Sequence, residues 1–297
     1  MPTPSLRHIL LALAVVAVWG SNFTVARLGL DELPPLFFTF LRFLFAFLPA
    51  ALFIRRPDVP WRLLASYGVL IGVVQFGFLY IALQNDISPG LASLVVQSQV
   101  FITIGLSIAF SGERVRPYQW GALALAASGL GVILAHGGAD ATPLGVGLVL
   151  LAAAGWAGGN HVARLSGRVD VLGYVVWSSL FALPPLLVLA LLHDGWPAIA
   201  AGLRQASWLA WGSVAYQSVA NTLFGYAVWA WLLARYPAAT VAPLSLLVPV
   251  FGFATSALVL GETLPGWKLT AGFLVLGGLA FNLLWPRLKI ALARSVS

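Results

Sequence analysis

Apolar positions along this chain do not alternate with polar ones at the period of a surface helix or strand; they run on for twenty residues at a time. A bilayer-spanning helix needs roughly 20 predominantly apolar residues. Ten runs meet that length, approximately 6–28, 35–54, 63–83, 88–110, 117–135, 144–165, 171–192, 208–233, 238–260 and 266–285. The breaks between them carry turn and breaker chemistry: Leu33-Pro34-Pro35, Arg56-Pro57-Asp58, Asn85-Asp86 with Ser88-Pro89-Gly90, and Gly137-Gly138 through Pro143. Apart from the stretch from Asp194 to Ser207 the loops are short, which leaves no soluble domain. The pattern predicts an all-α polytopic membrane protein with ten transmembrane helices.

The polar residues inside these runs reveal a repeat. Trp19 to Leu28 and Trp156 to Leu165 each open on Trp, carry an Asn (Asn22, Asn160) and close on the same Val-Ala-Arg-Leu. Phe76-Gly77 answers Phe224-Gly225, Gly112-Glu113 answers Gly261-Glu262, and Gly129-Leu130 answers Gly278-Leu279 at nearly the same offset. Self-similarity over this length implies two like halves, residues 1–138 and 139–297, of five helices each. An odd number of spans inverts the second half, so the halves are expected to face each other about an axis in the membrane plane, across a shared site.

Composition agrees with a bilayer setting. The 297 residues are 60% hydrophobic and 8% charged, against about 25% charged in soluble domains. The net charge of +7 contains no basic run longer than Arg55-Arg56, so it reads as loop charge facing the cytoplasm and not as a nucleic-acid surface. With the N-terminus inside, only Arg27, Arg204 and Lys268 fall outside and Arg42 lies within helix 2; all other Lys and Arg lie in the cytoplasm. That bias predicts both termini cytoplasmic in a multi-pass membrane protein. Arg7 and His8 ahead of an apolar run resemble a signal peptide, yet the repeat partner of this segment lies mid-chain, so it is expected to stay as helix 1. The absence of Cys excludes disulfides and thiolate metal sites.

Neutral polar side chains in a bilayer need partners or water, so they mark candidate cavity walls. Helix 8 carries Ser213, Gln217 and Asn221 at four-residue spacing on one face, and Gly225 extends the stripe. Helix 4 has Ser93 and Gln97 on one face and Gln99 and Thr103 on another; Gln97 and Gln99 cannot both face one cavity without a local distortion. Helix 3 contributes Gln75 and Tyr80, and helices 1 and 6 contribute Trp19, Asn22, Trp156 and Asn160. Arg42 is costly at that depth unless it snorkels or finds a partner, which makes it a candidate anchor for a substrate carboxylate. Pro243 and Pro249 should bend or break helix 9 and free carbonyls beside Ser245, the last of the candidate substrate-binding residues. Helices 5 and 10, rich in glycine and alanine, suit close packing, either internal or in a dimer, so monomer and homodimer stay open.

No phosphate-binding loop of the G-x-x-x-x-G-K-[ST] type is present, and the histidines and acids are scattered. No catalytic residues, metal ligands or cofactors are expected, which leaves a membrane-embedded enzyme or lipid-handling protein as the weaker class. All nine acids fall in loops or at helix ends, and His161 is the sole titratable candidate near the core. Substrate is therefore expected to move down its own gradient without a proton gradient.

The motifs Trp19-Gly20-Ser21-Asn22-Phe23, Pro34-Pro35-Leu36, Leu41-Arg42-Phe43, Gln75-Phe76, Gly90 to Val95, Gly112-Glu113-Arg114, Gly159-Asn160 and Val241 to Val250 resemble the EamA-type exporters of the drug/metabolite transporter superfamily, among them bacterial O-acetylserine/cysteine and amino-acid exporters. The resemblance runs essentially end to end. It implies two inverted five-helix repeats and export of small amino acids or related metabolites by alternating access, with aromatic amino acids or drug-like compounds as the alternative cargo. The halves depart at Pro249, whose counterpart region in helix 4 reads Gln99-Val100-Phe101, which argues against symmetric gating by helices 4 and 9.

Overall fold

A computed structural model describes residues 5–111, 116–136, 138–167, 169–236 and 241–295. The Gly112-Glu113-Arg114 motif, Arg168 and the expected start of helix 9 at 238 lie outside the described residues. Among those described the chain is helical apart from its turns and one isolated bridge between Ile87 and Ala141. Among the described residues nine helices are long and apolar enough to cross a bilayer: α1 Leu6–Leu30, α2 Pro35–Leu52, α3 Trp61–Asn85, α4 Pro89–Leu106, α5 Pro117–His136, α6 Pro143–Leu165, α7 Val171–His193, α9 Pro243–Leu260 and α10 Gly266–Trp285. Between α7 and α9 the chain is helical over 208–235. This α8 has the length of a span but is the least apolar of the set, because it carries Ser213, Gln217, Ser218, Asn221 and Thr222, all buried.

Local chemistry explains where the helices begin. Proline opens α2, α4 and α6, where its missing N–H and fixed φ cost nothing. Thr142 caps α6 by accepting from Gly145 N at 2.9 Å, and the Asp170 carboxylate caps α7 through Gly173 N at 3.0 Å. A short surface helix, Trp196–Gln205, fills the long connection before α8. The small residues of helices 5 and 10 serve internal packing: a Cβ at Gly278 would meet Ala122 O of α5 at 2.6 Å.

Besides the last turns of α2 and α7, two pairs of spans are interrupted in matching fashion. Helix α3 widens into i→i+5 turns over Val69–Gly77 and α8 does so over Tyr216–Phe224, each ending on the repeated Phe-Gly pair. Helix α4 tightens into a 3₁₀ turn over Val96–Ser98 and α9 over Ala242–Leu247. Proline accounts for α9, since Pro243 and Pro249 withhold their N–H groups. Helix α4 distorts without a proline. The sequence difference at Pro249 therefore does not make α4 a regular helix, and the two repeats keep equivalent breaks.

Candidate functional site

The wide turns of α3 and α8 and the 3₁₀ turn of α4 border a cavity of about 70 Å³, which α9 reaches through Val248 just after its own turn. Its walls are Trp19, Asn22 and Phe23 of α1, Arg42 of α2, Gln75, Phe76 and Leu79 of α3, Val96 and Gln97 of α4, Trp156 of α6, Asn221 and Tyr226 of α8, and Val248 of α9. Both halves of the chain contribute, as expected of a site between repeats.

Arg42 is the charged member and is 1% exposed. Its Nη1 donates to Tyr80 OH at 2.5 Å and to Gln217 Oε1 at 2.9 Å, and its Nη2 donates to Thr222 Oγ1 at 3.1 Å. With the Asn221 amide turned so that its oxygen faces the guanidinium, that oxygen lies 3.0 and 3.2 Å from the two terminal nitrogens. The guanidinium carbon stands 3.6 Å from the centroid of the Phe76 ring. Among the described residues the hydrogen-bond partners of Arg42 are thus neutral, and its Nε has none. Arg42 does not snorkel: it is a desolvated cation held by hydroxyls, amides and a ring face, and such a group favours any anion that can reach it.

Of the eleven residues singled out from sequence, Trp19, Asn22, Arg42, Gln75, Gln97, Trp156 and Asn221 line this cavity. Tyr80 and Gln217 stand behind the wall and hold Arg42. Gln217 also donates to Asn22 O at 2.8 Å, which ties α8 to α1. Asn160 turns away and donates to Gln99 Oε1 at 3.3 Å, and Ser245 is represented by its backbone carbonyl, which accepts from Gln97 Nε2 at 3.5 Å. The two glutamines point apart, as expected of residues two apart on a helix, with Gln97 on the cavity and Gln99 on α6; the 3₁₀ turn between them does not bring both to one cavity. Ser213 and Ser93 satisfy themselves within their own helices, through Leu209 O and Gly90 O.

Tyr226 and Phe76 complete the walls and were not among the sequence candidates. A four-residue stripe from Gln217 and Asn221 points to Gly225, but the wide turn of α8 needs an extra residue, so Tyr226 takes that place. Gly225 has a different duty: a Cβ there would lie 2.4 Å from Trp19 Nε1. Without one, the Trp19 ring settles against α8 and donates to Asn221 O at 3.2 Å.

Toward the end of the bundle where α1 finishes, the cavity is closed. Thr24 of α1 meets Thr255 of α9 at 3.0 Å. In the loop after α9, Glu262 accepts from Ser88 Oγ at 2.5 Å and Gly90 N at 3.2 Å, capping the start of α4, and also from Ser256. Lys268, 1% exposed, joins it at 2.8 Å and reaches Asp140 at 3.0 Å. Lys268, in the first turn of α10, is thus a buried ion-pair partner, and it brings together acids that are scattered in sequence. Burial alone would push the Glu262 carboxyl up; hydrogen bonds from Lys268, Ser256 and Ser88 outweigh this and hold it below its ordinary 4.5. At the same end Glu32 is held below its ordinary value by the hydroxyl and backbone N–H of Ser207.

A bundle of bilayer-length helices, broken in matching pairs around a closed polar and aromatic chamber, is the layout of a membrane transporter. The chain belongs to the EamA-like transporter family, whose model matches residues 6–135 and again 143–284. Over 285 residues it is 41% identical to a probable amino-acid metabolite efflux pump of Salmonella typhimurium, covering 94% of this chain and 95% of that one. It is 40% identical over 287 residues to the Escherichia coli protein of the same description, covering 95% and 96%. A solved crystal structure shares the fold, with a TM-score of 0.61 and 20% identity over 96% of this chain and 99% of the other.

Proposed function

We propose that this protein exports small amino acids or amino-acid-like metabolites across the bacterial inner membrane, binding them at the Arg42 chamber and alternating access between two inverted repeats, residues 1–138 and 139–297. The observation that carries this reading is Arg42 itself, a buried cation on the chamber wall whose described hydrogen-bond partners are all neutral. A substrate carboxylate supplies the missing counter-charge, and the relatives named as amino-acid metabolite efflux pumps support that choice of cargo. Size favours a small one. A water occupies about 10–15 Å³ of such space, so the chamber holds a handful of water-sized atoms, closer to a serine than to an aromatic amino acid.

The paired breaks in α3 with α8 and in α4 with α9 support movement of one repeat against the other, with the Thr24–Thr255 and Glu262–Ser88 contacts parting when the chamber opens outward. Lys and Arg counting supports cytoplasmic termini, which places Glu262 and Lys268 on the periplasmic side. His161 does not line the chamber, and the substrate moves down its own gradient.

Proteoliposomes loaded with labelled small L-amino acids test the reading. Efflux of an unmodified amino acid that is unchanged by an imposed pH gradient is the expected result; a chemically altered product would make the protein an enzyme. Because the chain has no Cys, single cysteines report sidedness. An impermeant maleimide on intact cells should label Gln205→Cys and spare Arg62→Cys, and the reverse would turn the topology over.

A further inference from the structure

The chamber contains a second unsatisfied group, of the opposite kind to Arg42. Gln75 is 4% exposed, lines the same space, and its Oε1 has no hydrogen-bond partner. Two residues that line the chamber therefore each carry a buried group without a partner, a donor in Arg42 Nε and an acceptor in Gln75 Oε1. An unpaired buried polar group is costly, and native interiors seldom tolerate two on one cavity without a use for them.

We infer that the site recognises its ligand as a zwitterion at two points, the carboxylate on Arg42 and the α-ammonium on Gln75 Oε1. This rests on the exporter reading above and adds the half of the site that selects for the ammonium. The carboxylate approaches the guanidinium edge that carries Nε, since Nη1 is already spent on Tyr80 and Gln217. The ammonium, which offers three donors and no acceptor, finds in Gln75 a neutral oxygen, so the pair Arg42 and Gln75 matches the charge order of an α-amino acid without introducing a carboxylate that would neutralise Arg42. Trp19 and Trp156, on the same walls, add ring faces that attract a cation. A decarboxylated amine would bring its positive charge to Arg42 unpaired. A hydroxy acid would keep the anion but offer Gln75 only a neutral hydroxyl.

The test is counterflow in proteoliposomes with three probes of nearly one size: L-serine, glycerate, in which a hydroxyl replaces the ammonium, and ethanolamine, which lacks the carboxylate. The wild-type protein should exchange L-serine at least tenfold faster than either of the others. Gln75→Met, which keeps the volume and removes the acceptor, should cut L-serine exchange about tenfold and leave glycerate within twofold. Gln75→Asn, which keeps a neutral carbonyl acceptor and brings no charge to Arg42, should retain the preference for L-serine over glycerate and shows that position 75 tolerates substitution. Equal exchange of L-serine and glycerate by the wild type, or an undiminished serine preference in Gln75→Met, would overturn the two-point site while leaving the exporter intact. Equal losses for both probes in Gln75→Met would likewise overturn it. If the wild type exchanges none of L-serine, L-cysteine or L-alanine, the exporter reading fails and takes the proposal with it.

Discussion

Arg42 and Phe76 stand face to face, the guanidinium carbon 3.6 Å from the ring centroid, with both side chains on the wall of the central chamber. The ring does what a carboxylate would do at greater cost. It stabilises a desolvated cation by about 2 kcal/mol without cancelling its charge, so Arg42 stays available to an incoming anion. Phe76→Leu should therefore raise the substrate concentration for half-maximal counterflow about tenfold, while Phe76→Tyr keeps the wild-type value. Equal kinetics in all three proteins would mean that the ring does not position Arg42.

Gly225 and Trp19 make the second prediction. A methyl group at 225 would lie 2.4 Å from the indole nitrogen, too close for either to stay in place. Gly225→Ala should displace Trp19 from the chamber and reduce transport at least tenfold, with the melting temperature lowered by several degrees. Gly147, around which a Cβ would meet nothing within 4 Å, is the control: Gly147→Ala should behave as wild type.

Glu262 gives a pH dependence with a definite sign. Its folded pKa lies below the ordinary 4.5, so the stability that it contributes is complete above that value and is lost as pH falls through the lower, folded value. Breaking a buried ion pair by removing one partner costs about 3 kcal/mol. Glu262→Gln should accordingly melt several degrees below the wild type at neutral pH, and the gap should close as the pH drops below 4.5. A gap that stays constant with pH would assign the contribution to packing and not to the carboxylate.

Much of this molecule is legible in the sequence, because bilayer length, breaker residues and a repeated Trp-Asn-Val-Ala-Arg-Leu pattern are local signals. Trp19, Asn22, Arg42, Gln75, Gln97, Trp156 and Asn221 stand out as polar or amphipathic groups in apolar runs, and the bilayer makes such groups conspicuous. What the local signal misses is the helix geometry between them. The wide turns of α3 and α8 have no proline to announce them, and in α8 the wide turn shifts the register that would have pointed from Asn221 to Gly225 onto Tyr226. Phe76 escapes for another reason, since a phenylalanine in an apolar run looks like lipid-facing or core packing until its ring is seen under Arg42. Lys268 and Glu262 carry the same lesson, being charges at the end of a span that only the folded chain brings to Ser88 and Asp140.

The chamber's use of Arg42 is the claim on which the functional account stands. Counterflow of a labelled small L-amino acid, in proteoliposomes of equal internal and external pH, measures it for the wild type, Arg42→Lys and Arg42→Gln, each first shown by its melting curve to be folded. The account predicts robust exchange by the wild type and at least a tenfold loss in Arg42→Gln. It predicts only partial recovery in Arg42→Lys, whose point charge cannot keep Tyr80, Gln217 and Thr222 while holding a carboxylate. Wild-type exchange by a folded Arg42→Gln protein would contradict it.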